Sequence, residues 1–166
     1  MTRRFTGIIA VSSALLVACS GSGNVPSNDL LDLINVKRAA AGCAKVAGDE
    51  QLRVAAERHA FDIRDHPGHF GAPGTPPLGD LHSGTDLSNP GTRIDAAGYS
   101  PKSRWGEVVY TASGAGYNTA QATIDWWMNS PPHKATIENC AFTDAGVGLL
   151  YPSRVKWIAV LDFATH

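Results

Sequence analysis

Three residues of this chain carry chemistry: His82 in His82-Ser-Gly-Thr-Asp86, Glu107 in Trp105-Gly-Glu107, and His133 closing Trp127-Met-Asn-Ser-Pro-Pro-His133. Imidazole serves both metal ligation and proton transfer near neutral pH. Two imidazoles and a carboxylate gathered at one place would form a small reactive cleft. The histidines stand 51 positions apart, so only the fold can bring them together.

The remaining polar candidates have plainer readings. His66 and His69 flank a proline turn and read as loop polarity, and His59, on the apolar face of a helix, reads as a hydrogen-bonded core histidine. Ser130 of Ser130-Pro-Pro-His133 has a base nearby, but no oriented carboxylate or nucleophile elbow accompanies it. Trp126 and Trp127 read as one core residue and one partly exposed one. The sequence holds no phosphate-binding glycine loop, dinucleotide fingerprint, His-Glu-x-x-His helix or internal repeat.

The elements that must position the three residues follow from periodicity and punctuation. Asn28 or Asp29 is expected to cap a helix reaching Ala41, with Leu30, Leu31, Leu33, Ile34 and Arg38 on its inner stripe and Gly42 as the stop. A second helix is expected from Asp49-Glu50 until Pro67. Residues 67–91, dense in Pro and Gly, read as the loop carrying His82. Beyond it come a short helix over Thr92–Ala97, a strand over Arg104–Thr111, and a helix from an Asn118 cap to Asn129. Pro131-Pro132 allows another helical turn. Gly146–Tyr151 and Val155–Phe163 read as paired strands joined by a Pro-Ser turn. Helices placed before and between late strands imply an α+β layer structure.

The N-terminus reads as a processing segment. Arg3 and Arg4 precede an apolar stretch from Phe5 to Ala18, too short to span a bilayer stably and shaped like a signal-peptide core. Leu16-Val-Ala-Cys19 resembles a bacterial lipobox, in which the cysteine is diacylated and becomes the first mature residue; the alternative is an ordinary signal peptide cut after a small residue. Arg3-Arg4-Phe5 also leaves twin-arginine export open beside the general route. The expected organisation is a signal peptide over 1–18, a flexible lipid-anchored tether over 19–28 and one domain over 29–166. Removing 18 residues from 166 leaves 148, with 12 basic against 15 acidic side chains and a net charge of −3. With no basic run or stripe, nucleic acid and anionic headgroups are not expected partners. Once Cys19 is set aside, Cys43 and Cys140 remain, and export favours a disulfide between them over two unpaired buried thiols.

The order of these segments, from the Leu-Ile-Asn-Val-Lys-Arg helix through His82-Ser-Gly, Trp105-Gly-Glu107 and Ser130-Pro-Pro-His133 to Trp157-Ile-Ala-Val-Leu-Asp-Phe163, resembles bacterial members of the CAP superfamily. The resemblance covers roughly Asp29 to Phe163. It implies an α-β-α sandwich around a small antiparallel sheet, a central cleft holding His82, Glu107 and His133, and cysteines at the Cys43 and Cys140 positions. His82 and His133, with a carboxylate and water, would satisfy a tetrahedral zinc site with an open position. The preferred alternative puts Glu107 outside the ligand set, orienting an imidazole or holding a water. Three departures weaken an acid/base pair: Ser130 stands where eukaryotic relatives have a second glutamate, Val108 where Asn is usual, and Pro132 where Gly is usual. Asp125 lies too early to substitute.

The expected function is a binding module on the extracytoplasmic side of the cell membrane, held by its lipid anchor or released, with a cell-envelope lipid, peptide or protein as ligand. Two alternatives stand beside it. One is a metal-assisted hydrolase using His82, Glu107 and His133; the other is a non-catalytic structural component of the envelope.

Intact mass spectrometry of the membrane-associated protein is expected to find a mature N-terminus at Cys19 carrying two acyl chains. Two chains hold a protein stably where one binds marginally. An unmodified N-terminus elsewhere would contradict the lipobox reading.

Overall fold

The computed structural model describes residues 26–153 and 156–166. The expected signal peptide over 1–18, the lipidation residue Cys19 and most of the tether over 19–28 lie outside them.

Helix α1 spans Pro26–Ala40 and begins ahead of the expected cap, with a proline in the first turn, where its missing N–H costs least. Leu30, Ile34 and Arg38 recur at a spacing of four and are fully buried. A two-residue strand, β1 (Ala47–Gly48), follows, too short to leave a periodic signal. Asp49 caps α2 (Glu50–Asp65) by accepting from the Leu52 N–H. The segment read as loop contains one helical turn, α3 (Pro67–Phe70), because Phe70 is buried against the sheet side of α2. Helix α4 (Pro90–Ala96) starts two residues before the expected Thr92, since Asn89 and Thr92 form a reciprocal capping box.

Strand β2 (Arg104–Ser113) is followed by α5 (Ala120–Met128), α6 (Pro131–Ile137), β3 (Asp144–Ser153) and β4 (Lys156–Thr165). The cap of α5 is Thr119, not Asn118; its hydroxyl accepts from the Ala122 N–H. The sheet order is β1-β3-β4-β2, antiparallel except for the parallel β1–β3 pair.

Alternation along β2 and β4 divides the core. Val108, Tyr110, Leu161 and Phe163 join Leu30, Ile34, Ile124 and Trp127 on the face covered by α1, α5 and α6. Val109, Ile158 and Val160 pack against Ala56, Ala60 and Ile63 of α2 on the other. Helix, sheet and helix thus form the α-β-α sandwich. On the α2 face β3 carries glycines where the helix backbone lies on the strand. A Cβ at Gly146 would sit 2.0 Å from the Arg53 nitrogen, and one at Gly148 would sit 2.3 Å from the Ala56 carbonyl carbon. The edge strand β2 is braced from the opposite side, where the buried Trp127 indole N–H donates to the Val109 carbonyl at 3.1 Å.

Two fasteners tie the segment after α6 to the end of α1. Cys43 and Cys140 are disulfide-bonded, with Cα atoms 4.7 Å apart. Beside them the Arg38 guanidinium donates to the carbonyls of Ala44, Ile137, Asn139 and Phe142 at 2.8–3.1 Å. Arg38 belongs to the buried stripe, as expected, but as a polar clamp: a buried cation is tolerated when it is hydrogen-bonded, and here each of the three guanidinium nitrogens donates to a carbonyl.

Gly148→Ala is expected to cost at least about 2 kcal/mol, because the atoms in the way are helix backbone. Gly68, whose added Cβ would meet nothing within 4 Å, is the control; Gly68→Ala should change stability by less than about 0.5 kcal/mol. Equilibrium urea unfolding of both variants, disulfide intact, makes the comparison.

Candidate functional site

The site begins at the start of β2. Glu107 projects to the α2 face, in cross-strand register with Asp162 of β4. Its side chain is only 1% exposed, and a carboxylate so buried must be paired. Oε2 accepts from Arg93 Nη2 at 2.7 Å, and Oε1 accepts from His82 Nδ1 at 2.8 Å. Arg93 also donates to the His82 carbonyl from both terminal nitrogens at 3.1 Å and to the Ser88 carbonyl at 3.0 Å. One guanidinium therefore holds both the carboxylate and the backbone of the His82 loop.

The loop has further anchors. His59 donates from Nε2 to the Leu81 carbonyl at 2.7 Å, since a carbonyl can only accept. Asp62 of α2 accepts from the Thr85 N–H and hydroxyl at 2.9 and 2.7 Å. At Gly84, the glycine of His82-Ser-Gly84, a Cβ would lie 2.5 Å from Ser88 Oγ and 2.7 Å from Asp86 Oδ1, so any side chain there would displace these loop side chains. A cavity of about 400 Å³ opens on this loop, lined by Asp80, His82, Trp105, Gly106, Glu107 and Thr136.

His133 stands in the first turn of α6, the helix whose Thr136 lines this cavity. Its Nδ1 is 2.8 Å from Ser130 Oγ, and its ring lies against Trp126 with centroids 5.0 Å apart. Desolvation lowers the His133 pKa, and the charge of His82 lowers it further. His82 moves the other way: its hydrogen bond to Glu107 raises its pKa against the opposing effect of burial. The serine hydroxyl thus serves one histidine and the carboxylate the other.

Beneath the cleft, two residues escaped the sequence reading. Arg93 gave no signal beyond being a basic residue in a short helix. Asp162 could have been noticed, as the lone carboxylate in the apolar run Trp157–Phe163. It is fully buried, and neither oxygen accepts a hydrogen bond. Burial, then the neighbouring Glu107, push its pKa far above the usual carboxylate range. Held neutral, the acid can donate its proton toward Glu107, which removes the repulsion between cross-strand carboxyls. His59 is buried as the sequence implied, its pKa lowered by desolvation. His66 and His69 are exposed; His66 bonds to the Asp62 carbonyl and His69 packs edge-on against Phe70. Trp127 is the core member of its pair and Trp126 the exposed one.

The donor set decides what a metal ion would find. Both Glu107 oxygens are engaged by protein, and each imidazole uses Nδ1 within the fold, leaving Nε2 of His82 and of His133 as the nitrogens available to a ligand. Among the described residues no three His, Cys, Asp or Glu side chains are grouped as a metal-ligand set. The residues present do not fit a site with three protein ligands.

Because the folded pKa of His82 is raised, its interaction with Glu107 stabilises fully below the ordinary imidazole pKa of about 6.5 and is lost as pH rises through the folded value. In Glu107→Gln the His82 titration, followed by its ring-proton NMR signals, should move down toward the ordinary value. Unchanged titration would show that the hydrogen bond does not govern His82.

Among the described residues no helix is long and apolar enough to cross a membrane. No curated protein matches the chain. Solved structures with this fold include an extracellular SCP-domain protein from Bacillus anthracis str. Ames (21% identity, TM-score 0.67, covering 85% of this chain and 40% of that one). An outer surface protein of Borrelia burgdorferi is 20% identical at TM-score 0.68, covering 85% and 92%. A cysteine-rich secretory protein of Staphylococcus aureus is 15% identical at TM-score 0.61, covering 85% and 38%. The chain spans about two fifths of the length of the Bacillus and Staphylococcus proteins. Residues 31–163, which include the His82 loop, Glu107 and the His133 turn, match the sequence model of the cysteine-rich secretory protein family, CAP, and the chain belongs to that family.

Proposed function

We propose that this protein is an exported, lipid-anchored CAP-domain binding module whose cleft at His82, Glu107 and His133 receives a cell-envelope ligand without cleaving it. The observation that carries the reading is the double engagement of Glu107, one oxygen on His82 and the other on Arg93. A carboxylate that activates water needs a free oxygen within reach of the proton it takes. Asp80, the other acid lining the cavity, accepts from the His82 N–H and the Ser83 hydroxyl. A serine nucleophile is disfavoured for a related reason: Ser130 bonds to His133, while the carboxylate orients His82. The half-exposed imidazole of His82 beside an open cavity suits recognition of a polar group on a ligand.

The immobilised protein, incubated with solubilised envelope fractions, is expected to retain a component of unaltered mass, with retention falling at least about tenfold in His82→Ala/His133→Ala. Cleavage of any envelope component that depends on added zinc and is lost in His133→Ala would overturn the reading in favour of a metal-assisted hydrolase.

A further inference from the structure

A second pocket lies at the far end of β2. It has a volume of about 310 Å³ and is lined by Tyr110, Thr111, Ala112, Ser113, Tyr117 and Trp126. Its wall is closed by Gly74, where a Cβ would lie 2.5 Å from Ser113 Cβ and 2.6 Å from the Ser113 nitrogen. Two aromatic side chains there remain in water: Trp126 is 48% exposed and Tyr117 62% exposed. Helix α5 already has its core anchor in Trp127, so packing does not require the second indole. Contiguous exposed apolar surface rimmed by polar groups marks binding sites, and here two exposed rings line one pocket.

The Trp126 ring is held on two sides. Tyr110 lies 5.5 Å from it and His133 5.0 Å, at tilts of 52° and 50°. The Tyr110 hydroxyl donates to the Tyr117 carbonyl at 3.1 Å and steadies the turn that bears the second exposed ring. A ring fixed before binding loses little freedom on contact. The lining carries no charge; its polar groups are the hydroxyls of Thr111, Ser113 and the tyrosines.

We infer that this pocket is a subsite for a neutral pyranose ring of a glycan chain. The inference rests on the reading of the adjacent cleft as a binding site and names its ligand class. One face of a pyranose presents C–H groups, which meet the electron-rich face of an aromatic ring, while its edge presents hydroxyls that match those of the pocket. An anionic ligand would find no cation among the lining residues, and an acyl chain would leave the hydroxyls without partners.

The pocket adjoins the cleft through α6: the His133 ring lies against Trp126, and Thr136 of the same helix lines the His82 cavity.

The test uses the 15N-labelled folded protein and follows the four tryptophan indole N–H signals, assigned with Trp126→Phe. Chitotetraose and cellotetraose, both uncharged, are expected to shift the Trp126 signal saturably. Trp126→Ala should weaken binding at least about tenfold and Trp126→Phe less. Sacculi sedimented with the protein separate a cell-wall source from free oligosaccharide: pull-down lost in Trp126→Ala assigns the wall, and soluble binding alone assigns free glycan. The inference is overturned if neither oligosaccharide moves Trp126 at about 10 mM, if Trp126→Ala binds like wild type, or if oleate displaces the sugar and takes the pocket. Envelope capture that depends on His82 and His133 but survives Trp126→Ala would leave the cleft reading standing and remove the glycan subsite alone.

Discussion

The arrangement of the site depends on one buried carboxylate. Glu107 sits between sheet and helix at 1% side-chain exposure, where an unpaired charge would be untenable, and its pairing dictates where everything near it must lie. Arg93 satisfies one oxygen and, with the same guanidinium, the carbonyls of His82 and Ser88. His82 satisfies the other. The ion pair thereby ties α4, the loop before it and the edge strand into one unit. Asp162 accommodates the same constraint from behind, since two ionised carboxyls in cross-strand register would repel and burial keeps one of them neutral.

That unit is held in place by a stiff frame. The glycines of β3 let α2 lie with its backbone on the sheet, which brings His59 and Asp62 to the distance at which they bind the His82 loop. On the opposite face Trp127 joins α5 to β2, while Arg38 and the disulfide fix the segment that follows α6. His133 stands on α6, so its position relative to His82 is set by both halves of the sandwich. Precision of this kind suits recognition as well as reaction.

The division of labour between Trp126 and Trp127 extends the same reasoning to the surface. Neighbouring positions on a helix point about a quarter turn apart, so one indole fills the core and the next is delivered to solvent. It lies beside a cleft histidine and above a pocket of hydroxyls.

The chain by itself determined its elements and its family. The Leu30, Ile34 and Arg38 stripe, the Pro131-Pro132 start, the late paired strands and the order of the histidine segments are local or ordered features, and local features survive in one dimension. The Cys43–Cys140 pair was legible because only two cysteines remained after Cys19. Boundaries set by competing caps, such as Asn89 over Thr92 and Thr119 over Asn118, were not, since neighbouring residues offered similar hydrogen-bonding groups. The roles of Arg93 and Asp162 and the pairing of Glu107 with His82 belong to tertiary structure alone. They arise from register between strands and from burial, which exist only once distant segments meet, and it is burial that turns a carboxyl from a solvated surface group into the fixed centre of a site.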